Sequence, residues 1–167
     1  MEFIEAYLPE HFEAAQILIE KYLEFLGEDL RFQHMDEEFR KLPLMYGPPS
    51  GSLLLCRSDN GVYAGMVGLR SFDKPWKNMP GREQQPGKIC EMKRLYVLPG
   101  YDGQGIGKNL CLRILEKAAS LGYHVMVLDT LRRLESAFHL YKHLGFQERA
   151  AYYDNPLPGV VYMEKYL

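Results

Sequence analysis

The stretch LPGYDGQGIGKNL, residues 98–110, sets four of the chain's fifteen glycines between a strand-like run and a helical pattern. Before it, KICEMKRLYVL alternates like a strand; after it, GKNLCLRILEKAASLG lines up Leu110, Ile114, Leu115 and Ala118 on one stripe of an amphipathic helix. A strand, a glycine loop and a helix start together aim unpaired backbone N–H groups and the positive end of the helix dipole at one point in space. That point suits a phosphate, and glycine is required there because side chains would hold the anion away.

The rest of the chain supplies strands and helices in a definite order. EFIEAYL reads as a short strand, and PEHFEAAQILIEKYLEFLG as a helix opened by Pro9 and closed by Gly27. A weaker helix covers DEEFRKLPL, and GPPSG breaks the chain after it. SLLLCRSDNGVYAGMVGLRSF predicts two strands joined by a two-residue turn at Asn60-Gly61. Residues 73–88, with three prolines and the only tryptophan, form a long loop in which Trp76 either covers a ligand or packs the loop onto the body. In the strand that follows, strict alternation places Glu91, Lys93, Leu95 and Val97 on one face and Met92, Arg94 and Tyr96 on the other. HVMVLDT is a buried strand, ESAFHLYKHLGF a helix stopped by Gly145, and FQERAAYY and GVVYMEKYL a closing pair of strands around DNPLPG.

Composition narrows the function. At 167 residues the chain fits one domain, 1–167, and 20 basic against 22 acidic residues leave no footprint for nucleic acid. The acidic N-terminus and the lack of a long apolar run predict a cytoplasmic protein that does not cross a membrane. Cys56, Cys90 and Cys111 have no CxxC spacing, so they read as reduced, buried thiols; Cys90 or Cys111 as a nucleophile has no base nearby in sequence. His139 and His143 stand four apart like a metal pair, but with no third ligand in view they read as a solvated helix face, so no metal is expected.

The loop's spacing sorts its possible ligands. A nucleoside-triphosphate loop needs a glycine where Asp102 stands and Ser or Thr where Asn109 stands. A dinucleotide fingerprint starting at Gly105 meets Leu110 in place of its third glycine, although Asp129 supplies the acidic residue that such a fold uses on the ribose. That reading, an oxidoreductase binding a nicotinamide dinucleotide, stays open at this point. The third ligand is the pyrophosphate of coenzyme A.

CEMKRLYVLPGYDGQGIGKNL and LDTLRRLESAFHLYKHLGF resemble the GNAT superfamily of N-acetyltransferases, in the R/Q-x-x-G-x-G/A loop matched by Gly105 and Gly107 and in the LYxxxGF pattern matched by LYKHLGF. The ending YYDNPLPGVVYMEKYL is similar to those of small bacterial members. The resemblance implies an α+β fold: a mixed, mostly antiparallel sheet of about seven strands flanked by about four helices, splayed between strands 4 and 5. It implies acetyl-CoA as cosubstrate, with its pantetheine arm along Leu95, Tyr96 and Val97 and its pyrophosphate on Asp102, Gly103, Gln104, Gly105, Ile106, Gly107, Lys108 and Asn109. Two positions depart from the pattern: Asp102 stands where the family usually has Arg or Gln, and Leu134 where many members have Asn.

The chemistry so implied is direct attack of an amine on the acetyl thioester. A lysine-like amine has a pKa of about 10, so a base must take its proton; Glu91 is the candidate, directly or through water, and it fits a salt bridge to Lys93 or Arg94 equally well. The family pattern makes Tyr141 the acid for the leaving thiolate, and at about 100° per residue Tyr141 shares the inward face of its helix with Leu134, Ala137, Phe138, Leu140 and Leu144. The acceptor is a primary amine of a small molecule, amino acid or peptide, shaped by residues 25–35 and the YYDNPLPG turn. Glu28, Asp29, Asp36, Glu37 and Glu38 make the first region acidic, and Tyr152 and Tyr153 offer aromatic walls. A homodimer is compatible with the resemblance, and a non-catalytic acyl-CoA sensor or partner-binding module is the alternative from another class.

Overall fold

The computed structural model describes residues 1–27, 35–73 and 87–167. Its elements run β1 (Glu2–Glu5), α1 (Pro9–Leu26), α2 (Met35–Met45), β2 (Ser52–Arg57), β3 (Tyr63–Ser71), β4 (Ile89–Val97), α3 (Ile106–Ser120), β5 (Val125–Leu131), α4 (Glu135–His143), β6 (Gln147–Arg149) and β7 (Val160–Tyr166). This is the order read from the sequence. Gly27, Gly122 and Gly145, the expected stop signals, all adopt positive φ.

The strands form one seven-stranded sheet ordered β1-β2-β3-β4-β5-β7-β6, antiparallel everywhere except between β4 and β5. Alternation along the central strands feeds two cores, which is why helices cover both faces. Val67, Leu69, Met126 and Leu128 pack with Ile106, Leu110 and Ile114 of α3 and with Tyr141 of α4. Leu53, Leu55 and Met66 turn the other way, onto Ala15, Leu18 and Ile19 of α1 and Leu42 of α2. Close approach of α3 to the sheet depends on Gly65, where an added Cβ would lie 3.0 Å from Ile106 Cγ2 and 3.1 Å from the Tyr96 carbonyl oxygen.

The parallel pairing is short: only Ile89–Glu91 align with Val125–Val127. Beyond it β4 remains paired with β3 and β5 with β7, so the two strands part and the edge of β4 that faces β5 is left without a strand partner. This is the splay implied by the resemblance.

Three expectations change. Met66 pairs with Tyr96 and Gly68 with Lys93, so Val67 stands opposite both Arg94 and Leu95; the extra β4 residue is a bulge, and Arg94 sits at φ 59. The bulge advances the phase by one residue: Leu95 and Val97 join Met92 on the α3 side, while Tyr96 packs on the α1 side. The turn between β2 and β3 spans residues 58–62 rather than two residues, because Ser58 Oγ accepts from the Val62 N–H and bonds the Asn60 side chain, closing a wider loop in which Gly61 still takes the positive φ. The strand expected over FQERAAYY keeps only Gln147–Arg149.

Candidate active site

The junction of β4 and α3 is built as the glycine spacing requires. Gly100, Gly103 and Gly105 all have positive φ, and Gly105 caps α3 at φ 74 without any side-chain cap, its carbonyl oxygen taking both the backbone and the side-chain N–H of Asn109. The backbone N–H groups of the first turn, Ile106, Gly107 and Lys108, precede the first intrahelical bond and point outward from the helix end. An open groove of about 780 Å³ lies against them, lined by Val97, Pro99, Tyr101, Asp102 and Gly103 on one side and by Phe25, Arg133 and the start of α4 on the other. Its volume lies within the common range for small-molecule sites, about 300–1,000 Å³.

The groove runs into the splay. A second, smaller cavity of about 60 Å³ opens there between β4 and β5, lined by Lys93, Arg94, Asp129, Tyr141 and Asn155 among apolar neighbours. Tyr22, Leu95, Leu134 and Ala137 line both spaces. The deeper wall is a polar network. Arg70 donates from Nε to Glu91 Oε2 at 2.8 Å, and the Tyr152 hydroxyl donates to Glu91 Oε1 at 2.8 Å. Lys93 Nζ lies 3.3 Å from Glu91 Oε1 and donates to Asp129 Oδ1 at 2.8 Å. Asp129 Oδ2 accepts from the Tyr153 hydroxyl at 2.7 Å and from Asn155 Nδ2 at 2.9 Å.

These partners set the charges. Burial pushes the Glu91 carboxyl up, but Lys93 and Arg70 together outweigh it and hold it below the ordinary carboxylate value; Asp129 is lowered the same way against its own burial, by the charge and hydrogen bond of Lys93 and the donors Tyr153 and Asn155. Tyr141 is 6% exposed, and burial raises its phenol well above its usual value, so it carries its proton at neutral pH. Among the described residues its hydroxyl has no hydrogen-bond partner, and the ring meets Phe146 edge-on at 5.8 Å. At the bulge, a non-glycine residue in the left-handed region costs on the order of 1 kcal/mol, so Arg94 is held there by the packing around it.

Comparison with known proteins decides what such a site belongs to. Residues 15–146 match the model of the Acetyltransferase (GNAT) family. The chain belongs to the GNAT acetyltransferase family. An uncharacterized N-acetyltransferase of Schizosaccharomyces pombe is 40% identical over 156 residues, covering 93% of this acetyltransferase and 88% of the relative. The L-amino acid N-acyltransferase MnaT of Escherichia coli is 30% identical over 97 residues, 58% of this chain and 51% of MnaT. A GNAT acetyltransferase structure from Staphylococcus aureus Mu50 shares the fold, with a TM-score of 0.74 at 17% identity over 99% of each chain. The enzyme is thus an N-acetyltransferase, in a family that uses acetyl-CoA.

The acetyltransferase's fold brings most of the sequence-derived site together. Leu95, Tyr96, Val97, Asp102, Gly103, Gly105, Ile106 and Gly107 all line the groove. Gln104, Lys108 and Asn109 do not: Asn109 is turned to the Gly105 carbonyl, Gln104 to the Gly100 carbonyl at 3.5 Å, and Lys108 is exposed. Asp102 remains on the lining, its Oδ2 accepting the Gly100 N–H at 3.2 Å. Leu134 puts an apolar side chain where groove and cavity meet.

Glu91 corrects its direct-base expectation. It is 2% exposed, outside both linings, and its oxygens are held by Arg70, Lys93 and Tyr152, so the ion-pair reading describes it, with Arg70 in place of Arg94. The dinucleotide alternative loses its acidic residue as well, since both Asp129 oxygens are engaged inside the protein. Cys90 and Cys111 are fully buried, and burial raises both thiols, Cys111 to about 12, so neither is a nucleophile at neutral pH. His139 and His143 are exposed, as a solvated face would be. Glu28, Asp29 and Trp76, with the side chains of Asp36 and Glu38, lie outside the described residues; Glu37 pairs with Lys41 one turn on.

Sequence reasoning missed the far wall. Tyr22 and Phe25 tilt against Tyr96 at 5.4 and 6.0 Å between ring centroids, bringing the end of α1 to the groove. The available signal was the aromatic pair itself, three residues apart and therefore on one side of α1.

Proposed function

We propose that the enzyme binds acetyl-CoA in the groove, with the pyrophosphate on the first turn of α3 and the pantetheine arm along the unpartnered edge of β4, and transfers the acetyl group directly to a primary amine held in the cavity of the splay. The observation that carries this reading is the junction itself: groove and cavity share Tyr22, Leu95, Leu134 and Ala137, and the Tyr141 hydroxyl faces that junction with no partner of its own. The residues fit the cosubstrate. Backbone N–H groups at a glycine-rich helix start hold a phosphate without a side-chain cation, which makes Asp102 tolerable in place of a basic residue. When bound, acetyl-CoA supplies a thioester open to nucleophilic attack.

The chain's own groups then act in sequence. The bulge turns Leu95 and Val97 toward α3, so the free β4 edge beside them offers a backbone N–H to the developing oxyanion. The amine loses one proton to solvent as the N–C bond forms and the C–S bond breaks, and Tyr141, protonated because it is buried, gives its proton to the leaving sulfur. Glu91 works at one remove: it fixes Lys93, which in turn holds Asp129 on the cavity wall. The name of MnaT, an L-amino acid N-acyltransferase, supports amino acids among the acceptors.

Isothermal titration with acetyl-CoA, with NAD as control, followed by thiol release from acetyl-CoA across a panel of primary amines, tests the reading. Saturable binding of acetyl-CoA alone, with amine-dependent release of coenzyme A, is expected. Preference for NAD, or binding without release to any amine, overturns it.

A further inference from the structure

We infer that the acceptor carries a carboxylate beside its amine, that it is an α-amino acid with an apolar side chain, and that Arg94 receives the carboxylate. The inference rests on the reading of the splay cavity as the acceptor site. Three charged groups stand on the lining of that cavity: Lys93, Arg94 and Asp129. Lys93 and Asp129 are joined at 2.8 Å, so their charges are spent on one another. The lining therefore presents a net positive charge to a ligand, and Arg94 is where it resides.

Placement of Arg94 argues that this charge is not incidental. A long cation on an exposed strand edge ordinarily snorkels to water. Arg94 instead is 7% exposed, sits at the one position where β4 carries an extra residue, and holds φ 59, a conformation that only its surroundings impose. The bulge is what turns this side chain into the cavity while its neighbours Lys93 and Leu95 keep to opposite faces of the sheet. Arg133, at the mouth of the groove, donates to the Leu26 carbonyl oxygen at 2.6 Å, and both guanidinium charges act against the burial that raises the phenol of Tyr22 between them. A guanidinium has five N–H donors in a planar fork, so it can take a substrate carboxylate bidentately in addition to the interactions it makes within the protein.

The remaining walls define the rest of the ligand. Leu26, Met92, Leu131 and Leu157 supply apolar surface, and the cavity is small, about 60 Å³. That combination fits a free amino acid with a short apolar side chain better than a peptide or a polyamine. A polyamine would bring further positive charge against Arg94, and a peptide's amine has no carboxylate next to it.

A matched series on the unaltered enzyme separates the possibilities. L-leucine, L-leucinamide and 3-methylbutylamine share one side chain and differ in the carboxylate, and leucinamide has the amine easiest to deprotonate, which biases the comparison against the proposal. The expected result is kcat/KM for leucine at least about tenfold above both others, a factor within what one charge-assisted contact supplies. Arg94→Gln and Arg94→Lys should raise the KM for leucine and collapse that ratio toward unity, Lys less than Gln because it keeps the charge and loses the fork, while the Kd of acetyl-CoA stays within about twofold. Equal rates across the series, or an unaltered ratio in a folded Arg94→Gln enzyme, overturn the proposal. Acetyl-CoA binding with transfer to 3-methylbutylamine only, or to none of the three, also overturns it and leaves the cosubstrate reading standing; failure to bind acetyl-CoA overturns both.

Discussion

Tyr141 shows how one side chain can serve packing and chemistry with different atoms. Its ring is part of the α3-side core, against Phe146, whereas its hydroxyl faces the junction of groove and cavity and has no partner among the described residues. Tyr141→Phe therefore keeps the ring and removes only the group that the mechanism uses. Fold stability should change by no more than about 0.5 kcal/mol, because no internal hydrogen bond is lost. kcat should fall about 100-fold or more, the usual contribution of a positioned acid, with acetyl-CoA affinity held within about twofold. Steady-state kinetics beside titration calorimetry reads both quantities, and an unchanged kcat would show the hydroxyl to be idle. Tyr141 was legible in the sequence because LYKHLGF fixes both its helix face and its family position. Arg70 was not: nothing in YAGMVGLRS marks one arginine at a strand end as the partner of a carboxylate twenty-one residues away.

At the scale of elements, the junction of β4 and α3 makes a prediction that separates the needs of the ligand from those of the fold. An added Cβ at Gly107 would meet Leu140 Cδ2 and Val97 Cγ2 at 3.7 Å, ordinary contact, and Gly107 has no positive φ. The protein itself has room for alanine there. Gly107→Ala should raise stability by about 0.5–1 kcal/mol, since alanine is the better helix former. Acetyl-CoA affinity should nevertheless fall about tenfold or more, because the Cβ stands among the N–H groups that a phosphate must approach. A thermal melt and a titration on the same variant check the pair of outcomes; undiminished affinity would remove the pyrophosphate from this turn. The loop and helix were readable in advance because glycine spacing and a 3.6-residue apolar period are both written in residue identity. The bulge in β4 was not, because its one extra residue is an arginine at φ 59, a type that gives no hint of positive φ, and strict alternation therefore assigned Leu95, Tyr96 and Val97 to the wrong faces.

Across the whole molecule, Arg70 of β3, Glu91 and Lys93 of β4, Asp129 of β5 and the Tyr152–Asn155 segment before β7 form one continuous buried network over the point where the sheet begins to open. The sequence placed every one of these residues on its element, yet their convergence depends on the short parallel register of Ile89–Glu91 with Val125–Val127, which no local pattern encodes. Both carboxyls titrate lower in the folded chain than their ordinary values of 4.5 and 3.8, despite the burial that opposes this. The stability they contribute is accordingly complete at neutral pH and is lost as pH falls through the lowered values, because the unfolded chain takes up those protons first. Unfolding free energy should thus drop steeply between about pH 4.5 and pH 2. Glu91→Gln should cost about 3–5 kcal/mol at pH 7, since Arg70 and Lys93 then face a neutral amide in a buried site, and the acid limb should flatten as the wild-type and variant curves converge toward low pH. Urea titrations at a series of pH values give both numbers. Parallel curves, with the same deficit at pH 2 as at pH 7, would mean that Glu91 supports the fold through shape rather than charge, and that the opening of the sheet is held by packing alone.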